Sequence, residues 1–365
     1  MSAYSGNCLS HFGSSFIHRA PTIVVFFFAI TSFPTFVPAA DQPSSTSETK
    51  PSATAAELID TLNNRQKLAE SLYAHGRFAE AEAEWRAIMN FYRHVVGPEH
   101  PNTLSMRSNV AGTLNAQGKY AEAEVEHRAV LGIRQRVLGP EHMDTLASRN
   151  NLANALFAQG KYAEAETEHR AVLAIRQRVQ GTEHPDTYRS KWALATVLQA
   201  QGKYSDAESI YREIIPSFEH VIGREHPDML ATRNNFAAAL QAQGKYAEAE
   251  TEHRIVLGIK QRVLGREHPD TLASRNNLAA ALAIQGKHAE AEVELRAVLD
   301  IRQSVLGSEH PDVFQSCYNL AQCQHAQGKK TEALTLAQRA WQGFRRTLGE
   351  KHPNTKQAKK LVGEL

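Results

Sequence analysis

The sequence predicts an all-α solenoid, and three observations predict it. The tag G-x-E-H-P begins at Gly97, Gly139, Gly181, Gly223, Gly265, Gly307 and Gly349, each time 42 residues after the last. A second tag, Q-G-K-Y-A-E-A-E in its fullest form, sets its glycine at Gly76, Gly118, Gly160, Gly202, Gly244, Gly286 and Gly328, at the same interval. The composition is 42% hydrophobic but only 7% aromatic, with the Ala, Glu, Gln, Arg and Leu that favour helices. Self-similarity at a fixed period is the mark of a repeat array. Only Met143, where proline would stand, and the terminal GEKHP depart from the first tag.

The chain opens with a different kind of segment. Residues 1–40 hold one lysine or arginine, Arg19, and no acid, and Thr22 to Ile30 read TIVVFFFAI. A basic flank, a short apolar run and the small residues Ala39-Ala40 make an export signal cleaved near Ala39 or Ala40. The run is shorter than the roughly 20 residues of a membrane span, and Pro34 and Pro38 break its far side. The predicted location is therefore periplasmic or secreted; an uncleaved anchor, or a cytoplasmic protein, is the alternative. Membrane contact is expected only through this segment. Cys8 lies before the apolar run, so it is not a lipoprotein site. Residues 41–53, rich in Pro, Ser and Thr, read as a flexible linker.

Each 42-residue unit then reads as two helices. The first starts at a motif such as Pro269-Asp270-Thr271, with proline in the first turn and Asp or Thr available as a cap. It runs through LASRNNLAAALAIQ and stops at Gly286, which suits the left-handed position that closes a helix. The second helix, KHAEAEVELRAVLDIRQSVL, ends at Gly307, and Pro311 prevents simple continuation. In the equivalent helix three units earlier, Ala165, Val172, Ile175 and Val179 are expected to form a buried stripe. A helix pair alone cannot cover its apolar faces, so neighbours must stack. Seven pairs span residues 54–350, and the polar tail 351–365 is a capping helix.

Charge and chemistry exclude several functions. A net charge of +2 offers no basic surplus for nucleic acid. Three cysteines in 365 residues are not a disulfide scaffold, and Cys317 and Cys323 read as small buried thiols. The loop histidines His100, His142, His184, His226, His268, His310 and His352 recur once per unit, so a turn or capping duty is expected rather than metal ligation. The same argument covers His127, His169 and His253. Gly118-Lys119 and its copies lack the rest of a phosphate loop, as does G-K-K-T at Gly328. No G-x-S-x-G or H-E-x-x-H occurs, so neither enzyme nor cofactor is expected. An enzyme with an unrecognised site is a distant alternative. The glutamates of the AEAE segments lie near helix starts, where they are expected to favour the helix dipole rather than to form an acid–base pair.

Leu152, Ala153, Leu156, Gly160, Tyr162 and Ala165 carry large, small and turn residues in an order that resembles the tetratricopeptide repeat. The longer period and the RxxxLGxxHPDTLxxxNNLA-like units resemble the kinesin light chain variant of that repeat. The resemblance covers roughly residues 55–350. It implies a right-handed superhelix of antiparallel helix pairs, whose first helices line a concave groove that takes an extended peptide or a protein. On that implied surface lie Asn150-Asn151, Asn234-Asn235 and Asn276-Asn277, with the single matches Asn109 and Asn319. An amide both donates and accepts, so it can hold a ligand backbone whatever its side chains. The second asparagine of each pair has equal claim to a role in tying adjacent units. Arg107, Arg149, Lys191, Arg233 and Arg275 precede these positions and are candidates to receive a ligand carboxylate. Kinesin light chains usually carry an apolar residue there, so the resemblance implies no charge preference. Trp192 and Tyr318 interrupt the asparagine pattern and are candidate aromatic contacts. The expected function is a non-enzymatic interaction scaffold, or, as the alternative, a cytosolic or membrane-anchored regulatory array.

Overall fold

The computed structural model describes residues 55–365. The expected export signal, its cleavage point and the linker lie outside the described residues. Fifteen helices and no strand occur among the described residues. In order they are α1 (Ala55–Ala74), α2 (Phe78–Val95), α3 (Pro101–Ala116), α4 (Tyr120–Val137), α5 (Met143–Ala158) and α6 (Tyr162–Val179). Then follow α7 (Pro185–Ala200), α8 (Tyr204–Ile222), α9 (Pro227–Ala242), α10 (Tyr246–Val263), α11 (Pro269–Ile284) and α12 (His288–Leu306). The last are α13 (Pro311–Ala326), α14 (Lys330–Leu348) and α15 (Pro353–Glu364). The odd-numbered helices through α13 are the first members of seven pairs. The chain is an all-α solenoid.

The helix ends show why these residues fold this way. Gly286 takes φ +77° and closes α11: its N–H donates to Ala283 O, and the Lys287 N–H donates to Leu282 O at 3.0 Å. This paired return of bonds satisfies carbonyls that the helix leaves open. The loop histidines cap the first helices. His268 Nδ1 accepts from the Asp270 N–H at 3.2 Å, and His100, His142, His184, His226, His310 and His352 do the same two residues ahead. The capping duty expected of the loop histidines is thus what they perform, and the Asp or Thr that follows is not the cap. Thr103 instead donates to Gly97 O at 2.7 Å, pinning the loop to the helix start.

The molecule comprises two compact units, which part between Gly181 and Thr182. In the first, α1 to α4 share a core of Leu72, Trp85, Ile88, Met106, Val110 and Leu114 closed around Ala69, Ala81 and Ala123. In the second, the largest cluster runs from Leu257 and Leu278 through Phe314, Tyr318 and Phe344 to Leu361 of α15. Within each unit consecutive helices pack together, and first helices also meet, α3 with α5 and α7 with α9.

The buried stripe of the second helices differs from the expected one. Ala165 and Val172 are sealed, but Ile175 is half-buried and Val179 is exposed. His169 and Arg176 take the buried places, so the stripe is Ala165, His169, Val172, Arg176, at steps of four, three and four. That spacing follows the 3.6-residue turn, whereas Val179 has drifted off the face. The histidines His127, His169 and His253 are thus core residues and not caps. Burial pushes each imidazole down to about 4, with Arg176 adding to the effect on His169. Cys317 and Cys323 are free, buried thiols whose pKa values burial raises.

Candidate functional site

The first helices set their candidate residues at one register position per repeat. The basic residue of each repeat meets a carboxylate from the second helix of its own pair. Arg107 reaches Glu126 at 2.5 Å, Arg149 reaches Glu168 at 3.2 Å, Arg233 reaches Glu252 at 2.6 Å and Arg275 reaches Glu294 at 2.5 Å. Each pair is 19 residues apart, because the two helices run back along one another with a short turn between. Lys191 has isoleucine at that register and turns instead to Glu213 at 2.7 Å. Arg233 also binds Glu219; although burial disfavours its charge, the two carboxylates outweigh that and raise its pKa. The cations expected to await a ligand carboxylate therefore already hold the chain's own carboxylates. An acidic partner would have to displace them, at little net gain.

The asparagines divide by position. Asn150, Asn234 and Asn276 are buried, the last only 4% exposed. Asn276 Nδ2 donates to Leu272 O at 3.1 Å, which leaves Oδ1 pointing away from its own helix bond and without a donor; Asn234 Oδ1 is likewise unpaired. Among the second asparagines, Asn109, Asn151 and Asn277 are half-buried. Asn235 is sealed, and its Nδ2 lies 3.5 Å from Thr196 Oγ1 on the preceding first helix. At that position the amide ties two repeats together. Asn319 is also buried and accepts from Gln315 Nε2 at 2.9 Å.

The two aromatic candidates part company. Trp192 is half-buried on α7. Tyr318 is 3% exposed, and its hydroxyl accepts from Gln322 Nε2 at 3.1 Å while burial pushes its pKa up to about 12. It belongs to the core that α15 completes, so it is not a surface contact. It shares that core with Ala358 and Leu361 of α15, a placement that no local feature of α13 announces.

One set of polar residues escaped the sequence reading although the tags contain it. At five of the turn glycines the glutamine just before reaches back to the preceding pair. Gln285 Nε2 donates to Glu250 Oε2 at 2.7 Å and to Tyr246 O at 3.3 Å, while Lys287 Nζ reaches the same carboxylate at 2.8 Å. Gln159 with Lys161 repeats this at Glu124, Gln243 with Lys245 at Glu208, and Gln327 with Lys329 at Glu292. Burial opposes the charge on Glu124 and Glu292, but these lysine, glutamine and arginine donors outweigh it and hold both carboxyls near about 2. The second glutamate of AEAE is thus an inter-repeat clasp. The co-repetition of Q, K and E at one period was the available signal.

Among the described residues no three His, Cys, Asp or Glu side chains converge as metal ligands, and no helix is long and apolar enough to cross a membrane.

Comparison with known proteins agrees with this architecture. The tetratricopeptide repeat model matches residues 58–135, 102–167, 144–220, 228–297 and 273–343. No curated protein matches the chain. Among solved structures, the nearly identical kinesin-light-chain-type TPR-like repeats of Podosopora anserina share 32% identity over 57% of this chain and 98% of theirs, with a TM-score of 0.54. BtubC (BKLC) from P. vanneervenii is 20% identical over 68% of this chain and 94% of its own, with a TM-score of 0.51, a likeness of fold. The apo form of RapI, 13% identical over 79% of this chain and 99% of its own, has a TM-score of 0.55 and likewise shares the fold. With the period, the glycine-closed helix pairs and the clasped neighbours all in place, the chain belongs to the tetratricopeptide repeat family and carries repeats of the kinesin-light-chain-like kind.

Proposed function

We propose that the array is a non-enzymatic scaffold that binds an extended peptide or a protein segment along its first helices. The observation that carries this reading is the pair of asparagines Asn234 and Asn276. They occupy the same register position on α9 and α11, and each holds a buried side-chain oxygen with no donor. A buried polar atom left unpaired is costly, so a backbone N–H arriving there recovers free energy that the free protein lacks. Two such acceptors at one repeat interval suit a ligand whose own backbone donors recur, and they read no side chain. The neighbouring Arg233 and Arg275 are held by glutamates, which favours a ligand of low charge.

The test is selection of peptides from a displayed library on the immobilised full chain, followed by titration. Asn234→Ala and Asn276→Ala together should weaken the selected peptides about tenfold or more, from two hydrogen bonds of about 1 kcal/mol each. The melting temperature should stay nearly constant. Failure to select any peptide, or indifference of affinity to both substitutions, would remove this function. We further propose, on the apolar run and Ala39-Ala40, that the chain is exported and cleaved.

A further inference from the structure

Two of the most regular positions in the array change together where the sixth and seventh repeats meet. The residue that opens each second helix is Phe78 in the first repeat and a tyrosine in the next four, Tyr120, Tyr162, Tyr204 and Tyr246. In the sixth it is His288, at the start of α12. On the following first helices, 35 residues further on, stand Thr113, Ala155, Val197, Ala239 and Ala281, and then Cys323. None of the five sibling pairs holds a cysteine or a histidine. The two replacements touch: Cys323 Sγ donates to His288 O at 3.3 Å. Both residues line one cavity of about 30 Å³ between α11, α12 and α13.

The chemistry of this pair suits a soft metal ion. His288 Nδ1 is buried and has no hydrogen-bond partner, and Cys323 is 5% exposed. A cavity of this size has room for one or two waters, and so for one ion. Among the described residues no third His, Cys, Asp or Glu completes a metal-binding group. Zinc in proteins draws on three or four protein ligands, whereas copper(I) favours thiolate and accepts two donors in line. We propose that Cys323 Sγ and His288 Nδ1 form a two-coordinate copper(I) site. On binding, the thiol proton leaves to solvent as one sulfur–copper and one nitrogen–copper bond form. Copper stays in the +1 state, so no electron is transferred. The thiolate cancels the charge of the ion, as the apolar walls of Ala279, Ala280, Ala283 and Leu295 require. Gln327 Nε2, 3.7 Å from Sγ, is placed to steady the thiolate. Cys317 is buried on the same helix but does not line the cavity and takes no part.

The test uses the full chain carrying Cys8→Ser, which leaves Cys317 and Cys323 as its two thiols. It is titrated anaerobically with copper(I) against a chromophoric copper(I) chelator. One equivalent should be withdrawn from the chelator, with a new ultraviolet thiolate-to-copper band and a shift of the His288 ring signals in NMR. Cys323→Ala and His288→Tyr install residues that the sibling repeats carry, so the fold should persist; helicity and melting without metal check this. Cys323→Ser, closer in size, serves if the alanine variant melts early. Each substitution should weaken copper(I) binding by more than the roughly 10–100-fold that loss of an outer-shell partner costs. Cys317→Ala should change nothing, and an equal concentration of zinc(II) should not compete. No withdrawal of copper(I) by the parent chain, or uptake that survives both the Cys323 and the His288 substitutions, overturns the site. Uptake that Cys317→Ala abolishes overturns it as well, and uptake that needs Cys323 but ignores His288→Tyr overturns the pairing. None of these outcomes touches the groove reading, which requires neither residue.

Discussion

Acid should loosen the array through three histidines well before its carboxylates respond. His127, His169 and His253 sit on the buried faces of α4, α6 and α10, and burial holds each imidazole near about 4. In the unfolded chain a histidine titrates near 6.5. The folded pKa is depressed, so the unfolded state binds the proton first. The neutral core is fully stable above about pH 6.5, and stability falls as pH drops towards 4. With these values the loss is about 2 kcal/mol for each histidine at pH 5 and about 3 kcal/mol below pH 4, as orders of magnitude. The sibling repeats supply the substitutions, because Trp85, Tyr211 and Leu295 fill the same register position without a titrating ring. His253→Leu, and the triple variant with His127→Leu and His169→Leu, should flatten the fall between pH 6.5 and 4. Hydrogen exchange repeat by repeat is the suitable assay, since a stacked array need not unfold in one step. Protection unchanged from pH 7 to 5 in the wild type, or an undiminished slope in the triple variant, would refute the reasoning.

Other outcomes follow from the same packing. Gln285→Ala removes donors to Glu250 and Tyr246 O and should cost about 1–2 kcal/mol, read as faster exchange where α10 meets α11. Below pH 4.5 a second acid-labile component should appear, because Glu124 and Glu292 are held near about 2; their stabilisation is complete above 4.5 and lost towards 2, so Glu124→Gln should remove its share of that late phase in a urea titration. Gly343 has no room for a side chain, since an added Cβ would lie 2.4 Å from the Phe314 ring. Gly343→Ala should therefore destabilise by about 1–3 kcal/mol despite better helix propensity, and Phe314→Leu, matching Leu272, should restore much of the loss in melting experiments. N-terminal sequencing of the mature protein should begin near Ala40 or Asp41; an intact Met1 in a soluble cytosolic pool would end the export proposal.

What could be read without coordinates was whatever residues within one turn of each other decide. Gly286 after α11, Pro269 in its first turn and the loop histidine at its start are local choices, and the 42-residue period repeats them. From these came the helix pairs, their limits and the need to stack. Partnership across helices was different. Arg275 meets Glu294, Gln285 meets Glu250 from the pair before, and Tyr318 disappears beneath the C-terminal core. Each outcome depends on which faces neighbouring helices turn towards one another, and sequence separation alone does not encode that rotation. The same cause moved the buried stripe from Ile175 and Val179 to His169 and Arg176. Period and helix ends were thus determined by the sequence itself, because backbone geometry and capping act over a few residues. The partner of each polar side chain was decided only by the packing of one helix on the next.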